Sequence, residues 1–460
     1  MLKGFQKRFI NMRASNSAML ILTLLLAAAC APKHEQQKLN TYFDNGLSRY
    51  NRALTNVIVS DIFTPPVASR IYAYPNIAAY EGIRFMDSSK VSLAGQLNGL
   101  QALPLPDTKK EYYFPLSSMV AFMNVGKALV FDLEKVDALE KQILQEVQDI
   151  GIDSEIYTNS VAYGEELATA ILAWASKDGY LQRTALPRYS VNDEPARWRP
   201  TPPDYMEAIE PHWNTLRPFT LSAADQFDPG LPTVFDSNEK SQFYQEAMEV
   251  YNTVTELDSN QVEIAKFWDC NPNISTTKGH VMYFQQQISP GGHWIHIAAQ
   301  VLEQENANPV KAAQTMALTS IALADGFISC WDQKYKSTLT RPETYINNYI
   351  DPDWMPILQT PAFPEHTSGH SVASNAAATV LTNIFGDNYQ YVDATEVPYG
   401  LPERSFKSFF EASEEAAISR LYGGIHYRPA IELGIVQGKA VGQHTFDTIE
   451  FEKSDFAYKE

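Results

Sequence analysis

Cysteine is scarce in this chain: Cys30, Cys270 and Cys330 are the whole complement. Neither Cys270 nor Cys330 has metal-ligand spacing, so the sequence offers no zinc motif. In an oxidising compartment these two could form one disulfide, and two buried thiols are the equal alternative. Basic residues are also in deficit, 36 Lys plus Arg against 54 Asp plus Glu, for a formal charge of −18. Nucleic-acid phosphates demand a basic surface, so that class of partner is excluded. Convincing alternating strands are nearly absent. Long apolar runs are missing too, except at the N-terminus.

There Lys3, Lys7, Arg8 and Arg13 precede AMLILTLLLAAA, and Cys30 follows. The run is too short for a comfortable bilayer span and ends in small residues, as a cleaved export signal does. With a cysteine at the cleavage point it resembles a bacterial lipoprotein signal, although Ala27 stands where leucine is commonest. Residues 1–29 are therefore expected to be a signal peptide, with Cys30 acylated. The mature protein would be exported, as a periplasmic or outer-membrane/cell-surface lipoprotein that meets membrane only through that lipid. Ordinary secretion is the alternative. Without residues 1–29 the chain keeps 32 basic and 54 acidic residues, a net −22. An acidic exterior does not exclude an anion site, because local cations decide that.

Apolar residues recur at steps of three and four. Leu133, Val136, Leu139, Ile143, Val147 and Ile150 make an amphipathic helix ended by Gly151. Similar patterns lie near 66–86, 154–176, 239–269, 308–330, 370–385, 405–421 and 429–445, which predicts an all-α protein. Nine prolines fall between Pro187 and Pro232, with Trp198 and Trp213 interleaved, so this stretch cannot be regular helix. Its aromatics favour an ordered excursion within one unit spanning 30–460 over a linker, since true linkers are polar.

Three segments then fit together as one anion site. Lys334 lies seven residues before Arg341-Pro342, Ser368-Gly369-His370 opens an Ala-rich helical pattern, and Ser419-Arg420 lies just before His426. They supply three fixed cations, a hydroxyl, a helix N-terminus with its free N–H groups, and two imidazoles. A tetrahedral oxyanion spreads its charge over four oxygens and needs several converging donors of this kind. Singly, Arg341 or Arg420 would read as an ion-pair residue among many acids. In this order, within about a hundred residues, the set is specific.

These motifs, K-x6-R-P, then T-S-G-H, then S-R-x5-H, resemble the superfamily of vanadium-dependent haloperoxidases, type 2 phosphatidic-acid phosphatases and bacterial acid phosphatases. The resemblance implies two four-helix bundles in one compact unit and a vanadate cofactor. It implies that Lys334, Arg341, Ser368, Gly369 and Arg420 hold the oxyanion, that His370 is the acid–base group, and that His426 is the axial metal ligand or, in a phosphatase, the nucleophile. Trp331, three residues before Lys334, and Phe363, five before Ser368, match positions that line the halide side of the pocket in haloperoxidases. His366 lies close enough in sequence to join them. With TPPVASRIYAY, WRPTPPDY and PHWNTLRPF, the likeness runs over most of the mature chain and is greatest to the bacterial iodide- and bromide-oxidising branch. It implies hydrogen peroxide and iodide or bromide as substrates, with hypohalous acid as product.

Two departures stand out. Thr367 replaces the usual proline, and Ala430 stands where many relatives carry an aspartate that orients the axial imidazole, with Glu432 on another helix face. The sequence alone thus leaves a phosphohistidine-forming acid phosphatase and a non-catalytic oxyanion-binding lipoprotein beside the haloperoxidase. His293 and His296, at i and i+3, read as a loop–helix junction near the pocket rather than as metal ligands. His34, His212, His280 and His444 read as ordinary surface or core groups.

Overall fold

The computed structural model describes residues 35–453 apart from Asn273, Gly279 and Gln285. The expected signal segment and Cys30 lie outside the described residues. The elements used below are α1 (Gly46–Ser60), α2 (Pro65–Ile83), α3 (Phe114–Leu129), α4 (Leu133–Ile150), α5 (Ser154–Ala175), α6 (Gln242–Thr255), α7 (Ser259–Phe267), β1 (Ser275–Lys278), β2 (Val281–Phe284), α8 (Pro290–Gln304), α9 (Pro309–Ser337), α10 (Pro342–Tyr349), α11 (Gly369–Phe385), β3 (Tyr391–Asp393), β4 (Arg404–Phe406), α12 (Phe409–Tyr422) and α13 (Arg428–Thr448). The only sheets among the described residues are two antiparallel pairs, β1–β2 and β3–β4. Among the described residues no helix is long and apolar enough to cross a membrane.

The helices form two groups that share α9. On one side α2 packs on α3 and α9, and α3 packs on α5; on the other α11 packs on α9, α12 and α13. One continuous apolar core runs through both, from Leu54 and Ile71 to Val372 and Phe409. The all-α architecture is therefore as the sequence implies, with α9 as the seam. Its N-terminus is fixed by Asn308, whose side chain accepts from Lys311 N–H, with Pro309 in the first turn. Its C-terminus is closed by Thr338 in the left-handed region, whose N–H returns to the Lys334 carbonyl.

Helices α11 and α13 approach closely. A Cβ on Gly438 would sit 2.3 Å from the Val372 carbonyl oxygen, and one on Gly442 would sit 2.5 Å from that of Ala376. Only bare backbone fits there. The two helices that carry the expected site triplet and follow His426 are thus held in near backbone contact.

The expected helix over 239–269 is two helices. Asp258 interrupts it with a capping box, accepting from Gln261 N–H while the Gln261 side chain accepts from Asp258 N–H. The pattern read from 405 starts later, because 404–406 is a strand. Segment 187–232 contains only a short 3-10 turn at Trp213–Thr215. It lies along α9: Trp198 N–H donates to Thr338 O, Thr340 N–H to Ala196 O, and Phe219 and Thr220 N–H to the buried Asp325 carboxylate. Cys270 and Cys330 are both free and buried, so the disulfide alternative fails.

Candidate active site

The chain brings the three motifs to one place by ending helices there. Lys334 sits in the last turn of α9, and Arg341 is the residue that enters α10. Ser368 caps α11, its Oγ accepting from Ser371 N–H, so Gly369 and His370 occupy the first turn, where backbone N–H groups are free. Thr367 is not the cap; its hydroxyl donates to Gln437 Oε1 at 2.7 Å. Arg420 is in the last turn of α12. After it the chain turns at Gly424 (φ 76°), where a Cβ would meet Pro356 and Val254 at 3.0 Å, and delivers His426 just before α13.

His426 is buried, and its Nδ1 lies 2.8 Å from Glu365 Oε1. That oxygen also accepts from Tyr427 N–H at 3.0 Å. Arg341 Nη1 stands 3.0 Å from His426 Nε2. Since a guanidinium only donates, Nδ1 carries the proton and Nε2 is the lone-pair nitrogen. Burial, then Arg341, Lys334 and Arg420, hold His426 well below the usual histidine range, so the imidazole is neutral. The orienting carboxylate expected at position 430 is supplied instead by Glu365. Ala430 offers its carbonyl, which accepts from Ser368 N–H at 3.0 Å and ties the two motifs together.

Three buried cations surround this pair. Arg341 donates through Nε to Phe363 O at 2.9 Å and through Nη1 to Ile425 O at 2.7 Å. Lys334 Nζ donates to the carbonyls of Pro364, Glu365 and Thr367 at 3.0, 3.1 and 2.5 Å. Arg420 donates through Nη2 to Trp268 O at 2.6 Å and through Nε to Ser419 Oγ at 3.0 Å. Burial pushes Lys334 down to about 7 and Arg341 down to about 10, and pushes Glu365 up to about 7. His370 is held well below its usual range by burial and Arg420. Such a cluster disfavours its own charge and is relieved by a bound anion.

One cavity is lined by Gly369, His370, Arg420 and His426 together with Trp331, Phe363 and other apolar groups. The Trp331 and Phe363 rings lie 5.0 Å apart, with Lys334 Nζ 4.8 Å and Arg341 Cζ 5.0 Å from the Phe363 centroid. Lys334, Arg341 and Ser368 are buried next to these lining residues and do not line the cavity themselves. His366 does not line it either: its Nε2 lies 3.1 Å from Gly230 O in the proline-rich excursion, and burial lowers it to about 4. Sequence reasoning missed Glu365, which is two residues before Thr367, and Cys270, which also lines the cavity.

The residues fit a tetrahedral oxyanion. Arg341 Nη2 and His370 Nε2 are buried without a hydrogen-bond partner among the described residues, a costly state that a bound anion would remove. A Cβ on Gly369 would meet only the Trp331 ring, at 3.7 Å, so bare backbone faces that space.

Residues 314–452 match the family model described as the VCPO second helical-bundle domain. The crystal structure of the first bacterial vanadium-dependent iodoperoxidase is 46% identical, with a TM-score of 0.84, over 89% of this chain and 97% of that one. The chain belongs to the vanadium-dependent haloperoxidase family. Two structures of a bacterial vanadium-dependent chloroperoxidase, holo and apo, share the fold at 15% identity and a TM-score of 0.65, over 84% of this chain and 93% and 94% of theirs. Among curated proteins none matches. The protein is thus an enzyme of the haloperoxidase class, and the cofactor of that class is vanadate.

Proposed function

We propose that this haloperoxidase uses hydrogen peroxide to oxidise iodide in preference to bromide and chloride. The observation that carries the halide reading is the wall of Trp331 and Phe363 beside buried cations, supported by the 46% identity to an iodoperoxidase. Burying a halide costs hydration energy. That cost is least for the largest ion, and an aromatic wall gives it dispersion contacts in return.

Lys334, Arg341, Arg420, Ser368 and the Gly369 backbone would hold the vanadate oxygens, and His426 Nε2 would bind the metal. When bound, vanadate supplies a Lewis-acidic centre that activates peroxide toward two-electron attack by halide without itself changing oxidation state. The protein's part is electrostatic and protonic. Glu365 fixes the His426 tautomer, keeping Nε2 free of a proton. His370 Nε2, on the cavity wall and unpartnered, takes a proton from arriving hydrogen peroxide and returns it to the departing oxygen. Trp331 and Phe363 keep bulk water from the halide. The sum is H₂O₂ + X⁻ + H⁺ → HOX + H₂O.

The N-terminal pattern, with Cys30 after a short apolar run, supports export and lipid anchoring at that cysteine, a reading that mass analysis of the protein from membranes would check. The activity is tested with protein purified free of phosphate and assayed with and without orthovanadate. Iodide oxidation that requires vanadate, with slower bromide and negligible chloride turnover, is expected. Aryl phosphate hydrolysis suppressed by vanadate, without halide oxidation, would overturn the reading and make His426 a nucleophile.

A further inference from the structure

Behind the Cys270 side of the cavity, three metal-ligating atoms converge from three separate segments. Cys270 Sγ, in the loop after α7, lies 3.4 Å from His293 Nδ1 in the first turn of α8. Glu396 Oε1, in the turn after β3, lies 3.0 Å from the same nitrogen and 3.8 Å from the sulfur. All three residues are buried. A tetrahedral ion bound at about 2.3 Å from sulfur and about 2.0–2.2 Å from nitrogen and oxygen needs ligand-to-ligand edges of roughly 3.3–3.6 Å. The observed edges bracket that range.

The surroundings have the form that such a site requires. His293 presents its other nitrogen, Nε2, to Asp393 Oδ2 at 2.7 Å. Asp393 is itself held by Thr395 N–H at 2.9 Å. A carboxylate on the far nitrogen fixes the tautomer that leaves Nδ1 free to bind metal. Trp268 stacks on the ring at 4.6 Å, which fixes its plane. Without an ion the three atoms are joined by protons, with the Cys270 thiol donating to Glu396 Oε1 and a proton shared at His293 Nδ1. One cation at their centre would take the place of those protons.

We propose that Cys270, His293 and Glu396 form a structural divalent-cation site, zinc by its mixed sulfur, nitrogen and carboxylate donors, with water as the fourth ligand. The ion would tie the loop carrying Cys270 to α8 and to the β3–β4 region. Because Cys270 also lines the anion cavity, coordination would hold its sulfur as a ligand and shield it from the oxidant made there. The site is independent of which halide is used and of whether vanadate is bound.

The test is metal analysis of the whole protein purified without chelator, followed by zinc and cobalt titration. About one zinc per chain is expected. The cobalt form should show a thiolate-to-metal absorption in the near ultraviolet that vanishes in Cys270→Ser, and Asp393→Asn should weaken zinc binding about 10- to 100-fold. Cys270 should resist a thiol reagent until a chelator is added. Protein that is metal-free as purified, gives no thiolate band with cobalt and leaves Cys270 equally reactive with or without zinc would overturn the proposal, leaving a His293 imidazolium bridging two carboxylates. The cobalt spectrum of the unaltered protein decides the matter even if a variant fails to fold.

Discussion

Glu365 Oε1 lies 2.8 Å from His426 Nδ1, 61 residues away along the chain. The same oxygen accepts from Tyr427 N–H, so the carboxylate, the His426 imidazole and the entry to α13 are tied together. Removing the charge while keeping the shape, with Glu365→Gln, should weaken vanadate binding about 10- to 100-fold. Vanadate titration of halide oxidation measures this. An unchanged affinity would show that Glu365 is a packing residue.

The two histidines should separate cleanly. His426 offers the neutral Nε2 and His370 the unpartnered one. His426→Ala is expected to abolish vanadate binding, read by calorimetry, whereas His370→Ala should bind vanadate within a few-fold of the parent and lose about 10²- to 10⁴-fold in kcat. Equal vanadate affinity in the parent and His426→Ala would contradict the axial assignment.

The three motifs were legible because each is local, and helix ends bring local motifs together: the last turns of α9 and α12 and the first turn of α11 meet around His426 and the cavity beside it. Glu365 was not legible as the partner of His426, since nothing local links positions 365 and 426, and the search for a carboxylate near 430 was a search along one helix. Helix α3, with Met119, Val120, Phe122 and Met123 all buried, escaped notice for a related reason. A helix apolar all round carries no three-to-four periodicity. Cys270, His293 and Glu396 could not be grouped from sequence, because their spacing is set by a fold and not by a turn. His366 illustrates the opposite error, in which nearness in sequence to Ser368 suggested the pocket while the ring faces the 187–232 excursion.

His296 should make stability depend on pH. It is partly buried on α8, with Nε2 2.9 Å from Thr55 Oγ1, and Arg52, His293 and Asp393 are the titratable groups that act on it. Burial, then Arg52, pushes it down to about 3. The unfolded chain takes up a proton as pH falls through about 6.5, and the folded chain does not until near 3. Its contribution is therefore complete above about 6.5 and lost progressively below, at up to about 1.4 kcal/mol per pH unit. His296→Gln should show a shallower fall in denaturant midpoint between pH 6.5 and 4. Parallel curves for the two proteins would remove His296 as the cause.

Gly438 links packing to chemistry. Its missing Cβ lets α13 lie against the Val372 carbonyl of α11, and these two helices follow His426 and Ser368 respectively. Gly438→Ala must push the helices apart or bend them, since backbone on the facing side cannot rotate away as a side chain would. The expected cost is about 1–3 kcal/mol in thermal or denaturant unfolding. A second effect should accompany it, because the Ser368 N–H to Ala430 O bond spans the same interface near its site end. Separation there would move the α11 N-terminus relative to His426, so vanadate affinity should fall together with stability. A variant that loses stability while binding vanadate as tightly as the parent would show that the site is held by the 363–368 segment alone, and that the α11–α13 contact serves only the core.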